Sequence, residues 1–304
     1  LKIILNNPEA VKTQLKRRGG DFKELDELLK PEEERRLGLQ ESELLKSRKK
    51  KLSAEVGQLK QKGQDASETM EEVRNINISI KELDDKIQVL EQQVQEKLLG
   101  IPNIPDDSIP DGIDENANRM VRDWGTKPEF TFKPKNHVEI GEKLDLIDLK
   151  RAAKISGARF AVYKGQGAGL LRALINFMLD VQTRENGYQE LYPPFLVNKE
   201  SMQGTGQLPK FEEELFATRD DPLYLIPTAE VPVTNFHRDE ILEEESLPIC
   251  YAAYTPCFRR EAGSYGRDTQ GLIRQHQFDK VELVKFSHPD ESPAELEKLV
   301  ENAE

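Results

Sequence analysis

The sequence predicts an α+β protein in two parts: a long N-terminal antiparallel α-helical hairpin, read as a coiled coil, and a domain built on an antiparallel β-sheet. Three observations carry that reading. Between Glu32 and Leu99 there is no proline, and glycine occurs only at Gly38, Gly57 and Gly63. Within that stretch Val73, Ile76, Ile80, Leu83, Ile87, Leu90 and Val94 recur at alternating spacings of 3 and 4. Further on, one amphipathic helical pattern lies among short strand-like runs, with neither βαβ alternation nor a phosphate-loop glycine pattern.

The alternating spacing marks a coiled-coil seam rather than one face of a globular helix. Leu45, Leu52, Val56 and Leu59 continue it more loosely on the preceding arm. Between the arms, Lys62-Gly63-Gln64-Asp65-Ala66-Ser67 reads as a short polar turn with Ser67 as N-cap, so the two helices must run antiparallel. Pro102, Pro105, Pro110 and Gly112, interleaved with Asp106, Asp107, Asp111 and Asp114, end the hairpin in a linker, and 112–135 is expected to cross to the second domain. There, 170–185 reads as a helix, apolar at Leu171, Leu174, Phe177, Met178 and Val181. Strands are expected over 188–191, 223–226, 251–258 and 273–286. Ser292-Pro293-Ala294-Glu295 reads as a capping box opening a last helix. The heptads are the only internal repeat. The expected division is 1–105 hairpin domain, 106–134 linker and 135–304 second domain.

The 304-residue chain is 37% hydrophobic and 33% charged, and no window approaches the run of about 20 apolar residues of a membrane helix. The opening residues turn polar quickly and offer no cleavage site, so no signal peptide is expected. Cys250 and Cys257 share no ligand spacing with the four histidines, which favours ordinary thiols in a reducing cytosol over a disulfide or zinc site. A net charge of −12 argues against a protein that coats nucleic acid with its whole surface. One basic patch stands out nevertheless. Lys46, Arg48, Lys49, Lys50, Lys51, Lys60 and Lys62 face only Glu55 in the same stretch, whereas the returning arm is acidic. On a projecting hairpin such a patch suits contact with a phosphate backbone, against the blander reading of a solvated helix face. Lys49, Lys50 and Lys51 are expected to lie off the heptad seam.

The segment richest in chemistry runs from Cys257 to Glu282. Gly263, Gly266 and Gly271 suggest a mobile loop between two strands, and period 2 in the second strand sets Arg274, His276, Phe278, Lys280 and Glu282 on one face. With Arg259 and Glu261 at the end of the preceding strand, that face offers guanidinium for phosphate, a ring for stacking and carboxylates for an amine. A salt-bridged solvent face would need the same residues.

Phe258-Arg259-Arg260-Glu261-Ala262-Gly263 and Leu272-Ile273-Arg274-Gln275-His276-Gln277-Phe278 resemble motif 2 of class II aminoacyl-tRNA synthetases in its seryl form. Gly187-Tyr188-Gln189-Glu190-Leu191-Tyr192-Pro193-Pro194-Phe195-Leu196 resembles motif 1 of that class. Pro227-Thr228-Ala229-Glu230 looks like the serine-binding loop of seryl-tRNA synthetases, and 204–211 is similar to another of their segments. Asn7-Pro8-Glu9 and Arg17-Arg18-Gly19, followed by the hairpin, also resemble that family.

The resemblance implies a class II catalytic domain that joins serine to ATP as seryl-adenylate and passes the seryl group to tRNA(Ser), and to tRNA(Sec) as well. By resemblance, Arg259 is catalytic and grips the α-phosphate and the serine carboxylate. Arg260, Glu261, Arg274, Gln275, Phe278 and Lys280 belong to the ATP site, with Glu261 facing the adenine amino group and Phe278 stacking on the ring. Thr228, Ala229, Glu230 and Glu282 hold serine, while Lys46, Arg48, Lys49, Lys50 and Lys51 meet tRNA. Mg²⁺ is expected to arrive with ATP, no zinc is expected, and the family implies a cytoplasmic homodimer. One departure stands out. No arginine follows Arg274 and no glycine follows Gly271, so motif 3 is missing. With Leu1 in place of Met and a last helix lacking a stop signal, a fragment, inactive or impaired alone, is expected. A non-catalytic relative that keeps the hairpin and binds RNA is the alternative; a plain coiled-coil scaffold would leave Thr228-Ala229-Glu230 unexplained.

Overall fold

The computed structural model describes residues 1–112, 114–262 and 271–304 and divides into two compact units, Leu1–Thr126 and Lys127–Glu304. Gly263 and Gly266 of the expected loop lie outside the described residues.

The first unit begins with α1 (Lys2–Asn6) and α2 (Pro8–Lys16), followed by the long helices α3 (Lys23–Gln61) and α4 (Ser67–Gly100). Asn7 caps α2 by accepting the Ala10 N–H at 3.1 Å, and Pro8 occupies the first turn, where its missing donor costs nothing. Ile4, Val11, Leu15, Leu25, Leu28 and Val94 form one buried cluster at the base of the hairpin. That cluster explains why α3 starts at Lys23 and runs through Pro31 rather than starting after it. Leu25, Leu28 and Pro31 are all buried, and their packing offsets the hydrogen bond the proline removes.

At the tip, Gly63 takes a φ of 69°, and the Gln64 N–H returns to the Leu59 carbonyl at 2.9 Å. Ser67 is not the N-cap. It is the first helical residue, and the Asp65 carboxylate accepts both its N–H, at 2.9 Å, and its hydroxyl, at 2.6 Å.

The α4 seam follows the sequence pattern. Ile76, Ile87, Leu90 and Val94 are buried, while Val73, Ile80 and Leu83 are half-buried. On α3 the matching row is Ser42, Leu45, Lys49, Leu52, Val56 and Leu59. Lys49 is therefore on the seam, contrary to the sequence reading, because the α3 register continues in steps of 3 and 4 straight through the basic run. Its stem is half-covered while Lys50 and Lys51 are exposed. Other basic residues pair across the hairpin: Lys46 with Asp84 at 3.1 Å, and Arg48 with Glu72. The linker is tied down by Arg17, which donates to Asp111 at 2.6 Å and to the Ile109 carbonyl at 2.5 Å.

The second unit contains, in order, α5 (His137–Lys143), α6 (Leu149–Ser156), α7 (Gln166–Arg184), β1 (Gln189–Glu190), β2 (Leu196–Asn198), α8 (Lys199–Gly204), β3 (Leu223–Leu225), α9 (Glu230–Thr234), β4 (Ile249–Phe258), β5 (Gln277–Phe286) and α10 (Ser292–Ala303). Its main sheet has the order β1-β4-β5, and β2 pairs with β3 in a second, antiparallel sheet. The long β4–β5 pair is antiparallel as expected, but the short β1 runs parallel to β4. The long stretch between β1 and β4 permits that crossover. Thr255 lies opposite Lys280 and Ala253 opposite Glu282, which fixes the register of the site strand.

Strand β5 begins at Gln277, not Ile273, so the alternation predicted for Arg274 and His276 fails there. Residues 271–276 form turns and bends instead. Beneath the sheet lie Ala229, Val233, Tyr251 and Ala253; a second core of Val197, Met202, Leu208, Leu215, Ile226 and Val231 supports β2 and β3. The capping box at α10 does not form. Ser292 is the first helical residue, and the Glu295 carboxylate is instead taken by Lys285 at 2.9 Å and by Lys298 at 2.5 Å. This contact, with Gln182 donating to the Asn302 carbonyl at 2.7 Å, docks α10 on the unit.

Candidate active site

Strands β4 and β5 are both ten residues long, and the site grows from their open end, where residues 259–262 leave β4 and 271–276 return to β5. The two segments are laced together by backbone. The Arg259 N–H donates to the His276 carbonyl at 3.0 Å, and His276 Nδ1 lies 2.9 Å from the Arg259 carbonyl. The returning side is also held by His137, whose Nε2 accepts the Leu272 N–H at 2.9 Å. A cavity of about 560 Å³ opens here, lined by Tyr163, Leu171, Arg259, Glu261, Leu272, Ile273, Arg274, Gln275, Phe278 and Asp279.

Within it Arg274 donates to Glu261 at 3.1 Å, and the Arg259 guanidinium sits over the Phe278 ring, 5.3 Å from its centroid. Gln275 is buried and gives its amide to the Leu272 carbonyl at 3.1 Å. The cavity thus joins cations, a flat ring and a carboxylate, the chemistry a nucleotide requires.

Beside it lies a second cluster. Thr228 is buried after β3; its hydroxyl donates to Glu282 at 2.9 Å and accepts from Lys280 at 2.8 Å. Lys280 also ion-pairs with Glu282, and the Glu230 N–H reaches the Thr228 hydroxyl at 3.2 Å. Glu230 is exposed on one side, yet protein crowded around its carboxyl, and next the Glu282 charge, push its pKa above the ordinary carboxylate range, with Lys280 pulling the other way. Ala229 is fully buried below. The Glu282 carboxylate, the Lys280 ammonium and the Thr228 hydroxyl in mutual contact, with Glu230 nearby in sequence, offer chemistry suited to an amino acid's ammonium and a short polar side chain. Arg259 connects the two clusters. It lines the cavity, and its Nε donates to the Pro227 carbonyl, next to Thr228, at 3.2 Å.

Of the sequence candidates, Arg259, Glu261, Arg274, Gln275 and Phe278 converge on the cavity, and Thr228, Ala229, Glu230 and Glu282 on the second cluster. Lys280 was expected with the nucleotide but lies in the second cluster. Arg260 is exposed and outside the cavity lining, its backbone N–H held by the Glu214 carbonyl at 2.9 Å. Contributors that escaped sequence reading include Tyr163, Arg159, Glu214, His137 and Asp279. Arg159 and Glu261 both carry left-handed backbone, with φ of 65° and 51°. Such strain in non-glycine residues costs about 1–3 kcal/mol each and gathers at functional sites.

Comparison with known proteins matches residues 1–105 to the Seryl-tRNA synthetase N-terminal domain and residues 210–304 to the tRNA synthetase class II core domain (G, H, P, S and T). The serine--tRNA ligase of Carboxydothermus hydrogenoformans is 53% identical over all of this chain, which covers 72% of that protein. The chain belongs to the seryl-tRNA synthetase family. A second such ligase, from Desulfitobacterium hafniense, is 54% identical with the same coverage. Among solved structures, the seryl-tRNA synthetase of Pyrococcus horikoshii complexed with ATP superposes with a TM-score of 0.90 at 37% identity, covering 99% of this chain and 72% of that one. The cytoplasmic serine-tRNA ligase of Naegleria fowleri in complex with AMP gives 0.82 at 26% identity, covering 97% and 72%. The family thus joins a helical-hairpin unit to a class II core, the two parts that the heptads and motif 2 pointed to.

Proposed function

We propose that this chain is the hairpin and most of the catalytic core of a serine–tRNA ligase, which activates L-serine with ATP and transfers it to tRNA(Ser), and to tRNA(Sec) where present. The observation that carries this is the position of Arg259 between a ring-and-arginine cavity and the Thr228–Lys280–Glu282 cluster. Adenylation needs no protein nucleophile, because the attacking serine carboxylate is already charged. The site has to align carboxylate and α-phosphorus and neutralise charge that develops on the phosphate.

In this reading Arg259 spans both reactants, Phe278 stacks on adenine, Glu261 receives its amino group and Arg274 serves the phosphate side. Gln275 offers backbone to the base. Thr228, Ala229, Glu230 and Glu282 receive serine, with Lys280 balancing their charge. Mg²⁺ would come on the phosphates of ATP, where it keeps most of its water and needs few protein ligands. The functional division into 1–105, 106–134 and 135–304 follows the same reading, as does a cytoplasmic location. Aminoacylation by the full-length protein tests it: serine should be attached to tRNA(Ser), to tRNA(Sec) where present, and to no other tRNA. RNA binding without attachment would favour the non-catalytic alternative.

A homodimer is part of the proposal. Leu170, Leu174, Phe177 and Met178 are exposed at positions i, i+4, i+7 and i+8 of α7, a single apolar stripe. Leu171, on the adjacent face, lines the cavity. An apolar stripe outside and a site wall inside suit a helix clamped between two subunits. Sedimentation of the full-length protein should give a dimer at micromolar concentration, and Phe177→Asp should shift it to monomer; a wild-type monomer would refute the stripe's assignment.

A further inference from the structure

The site depends on a strained turn that its own neighbours hold. Residues 260–262 leave β4 with Glu261 in left-handed backbone, and this aims the Glu261 carboxylate at Arg274. Two groups from elsewhere in the unit clamp that turn. Glu214, in the short helical turn Glu212–Glu214, uses both of its acceptors: its carbonyl takes the Arg260 N–H at 2.9 Å and its carboxylate takes the Ala262 N–H at 3.0 Å. Arg159, itself left-handed, donates to the Glu261 carbonyl at 3.3 Å while its own carbonyl accepts the His276 N–H at 2.9 Å. The backbone of Glu261 is thus gripped before it, after it and at its own carbonyl.

We infer that Glu214 is a positioning residue for the nucleotide site: its carboxylate holds the peptide of Ala262 so that Glu261 stays in the conformation that presents its carboxylate to the cavity. A charged acceptor makes that bond stronger than a neutral one, and a left-handed glutamate needs such a partner to remain where it is. Among the described residues Glu214 does not line the cavity, so we place its action through Glu261. The serine cluster is anchored instead on Thr228 and β5.

The inference rests on the reading of the cavity as the ATP site. Steady-state serine-dependent pyrophosphate exchange by the full-length protein separates the two ideas. No exchange by the wild-type protein refutes the ATP-site reading itself. Given exchange, Glu214→Ala should raise KM for ATP at least about tenfold and leave KM for serine within about twofold. Glu214→Gln, whose amide oxygen still accepts the Ala262 N–H, should recover most of the loss. Should Glu214→Ala fail to fold, Glu214→Asp, one methylene short of Ala262, should show the same ATP-selective defect. Equal changes in both KM values, no change in either, or a glutamine variant as impaired as alanine would overturn the role of Glu214.

Discussion

Replacing Arg259 with alanine should reduce serine-dependent pyrophosphate exchange by about a hundred- to a thousandfold, the roughly 3–4 kcal/mol lost with one donor aimed at transition-state charge. The loss should fall on the rate rather than on folding. Two backbone bonds that Arg259 shares with His276 do not involve its side chain, and residue 259 lies past the end of β4. The side chain itself makes one bond to the Pro227 carbonyl and covers the Phe278 ring, contacts that exist to place the guanidinium between the two clusters. Retained thermal stability with collapsed exchange is the expected pair of results. Exchange within a few-fold of wild type would take Arg259 out of the chemistry.

The second large effect is expected on the hairpin, and the structure changes how it should be tested. Lys49 lies on the seam, so its replacement would mix packing with charge; Lys46 and Arg48 already have acidic partners on α4. Lys50 and Lys51 are exposed, with no ion pair among the described residues, and so are the cleaner choice. If they meet tRNA phosphates, Lys50→Ala with Lys51→Ala should lower kcat/KM for tRNA by roughly tenfold or more. The slope of log affinity against log salt should also flatten by about 1 to 2. Pyrophosphate exchange should hold its original rate, because it needs no tRNA. A parallel fall in exchange would mean that the hairpin supports the catalytic fold, and unchanged aminoacylation would mean that these lysines are a solvated face.

How far the sequence could be read depended on the range of the interaction. The α4 seam was legible because seven apolar residues at fixed spacing leave one solution, a helix with one buried edge. The α3 arm was less so, since a lysine and a serine fill seam positions there and broke the apolar pattern. Both expected helix caps failed for a tertiary or local reason invisible in a four-residue motif. Asp65 took the donors at Ser67, and Lys285, from β5, claimed the Glu295 carboxylate. Strand β5 started late because His137, Arg259 and Arg159 take up backbone groups of Leu272 and His276 in the turns of 271–276. The site residues that carry charge toward the cavity were legible from motif 2. Arg159 and Glu214 were not, because they act through peptide groups and left-handed backbone, and no residue type announces either. Lys280 sits with Thr228 and Glu282 rather than in the cavity lining, because period 2 gives the face of a residue, not which neighbours its tip reaches.

The central claim is that the Thr228–Lys280–Glu282 cluster and the Arg259 cavity together activate serine. Amino-acid-dependent exchange of pyrophosphate into ATP by the full-length protein, compared for serine, alanine and threonine, tests it most directly. A pocket that pairs buried polar groups with a substrate hydroxyl rejects the analogue lacking it by about 10⁴-fold. Serine should therefore support exchange, alanine should fall below it by about that factor, and threonine should be excluded by its extra methyl group. Exchange that alanine or threonine supports as well as serine does, or none with serine, would contradict the account.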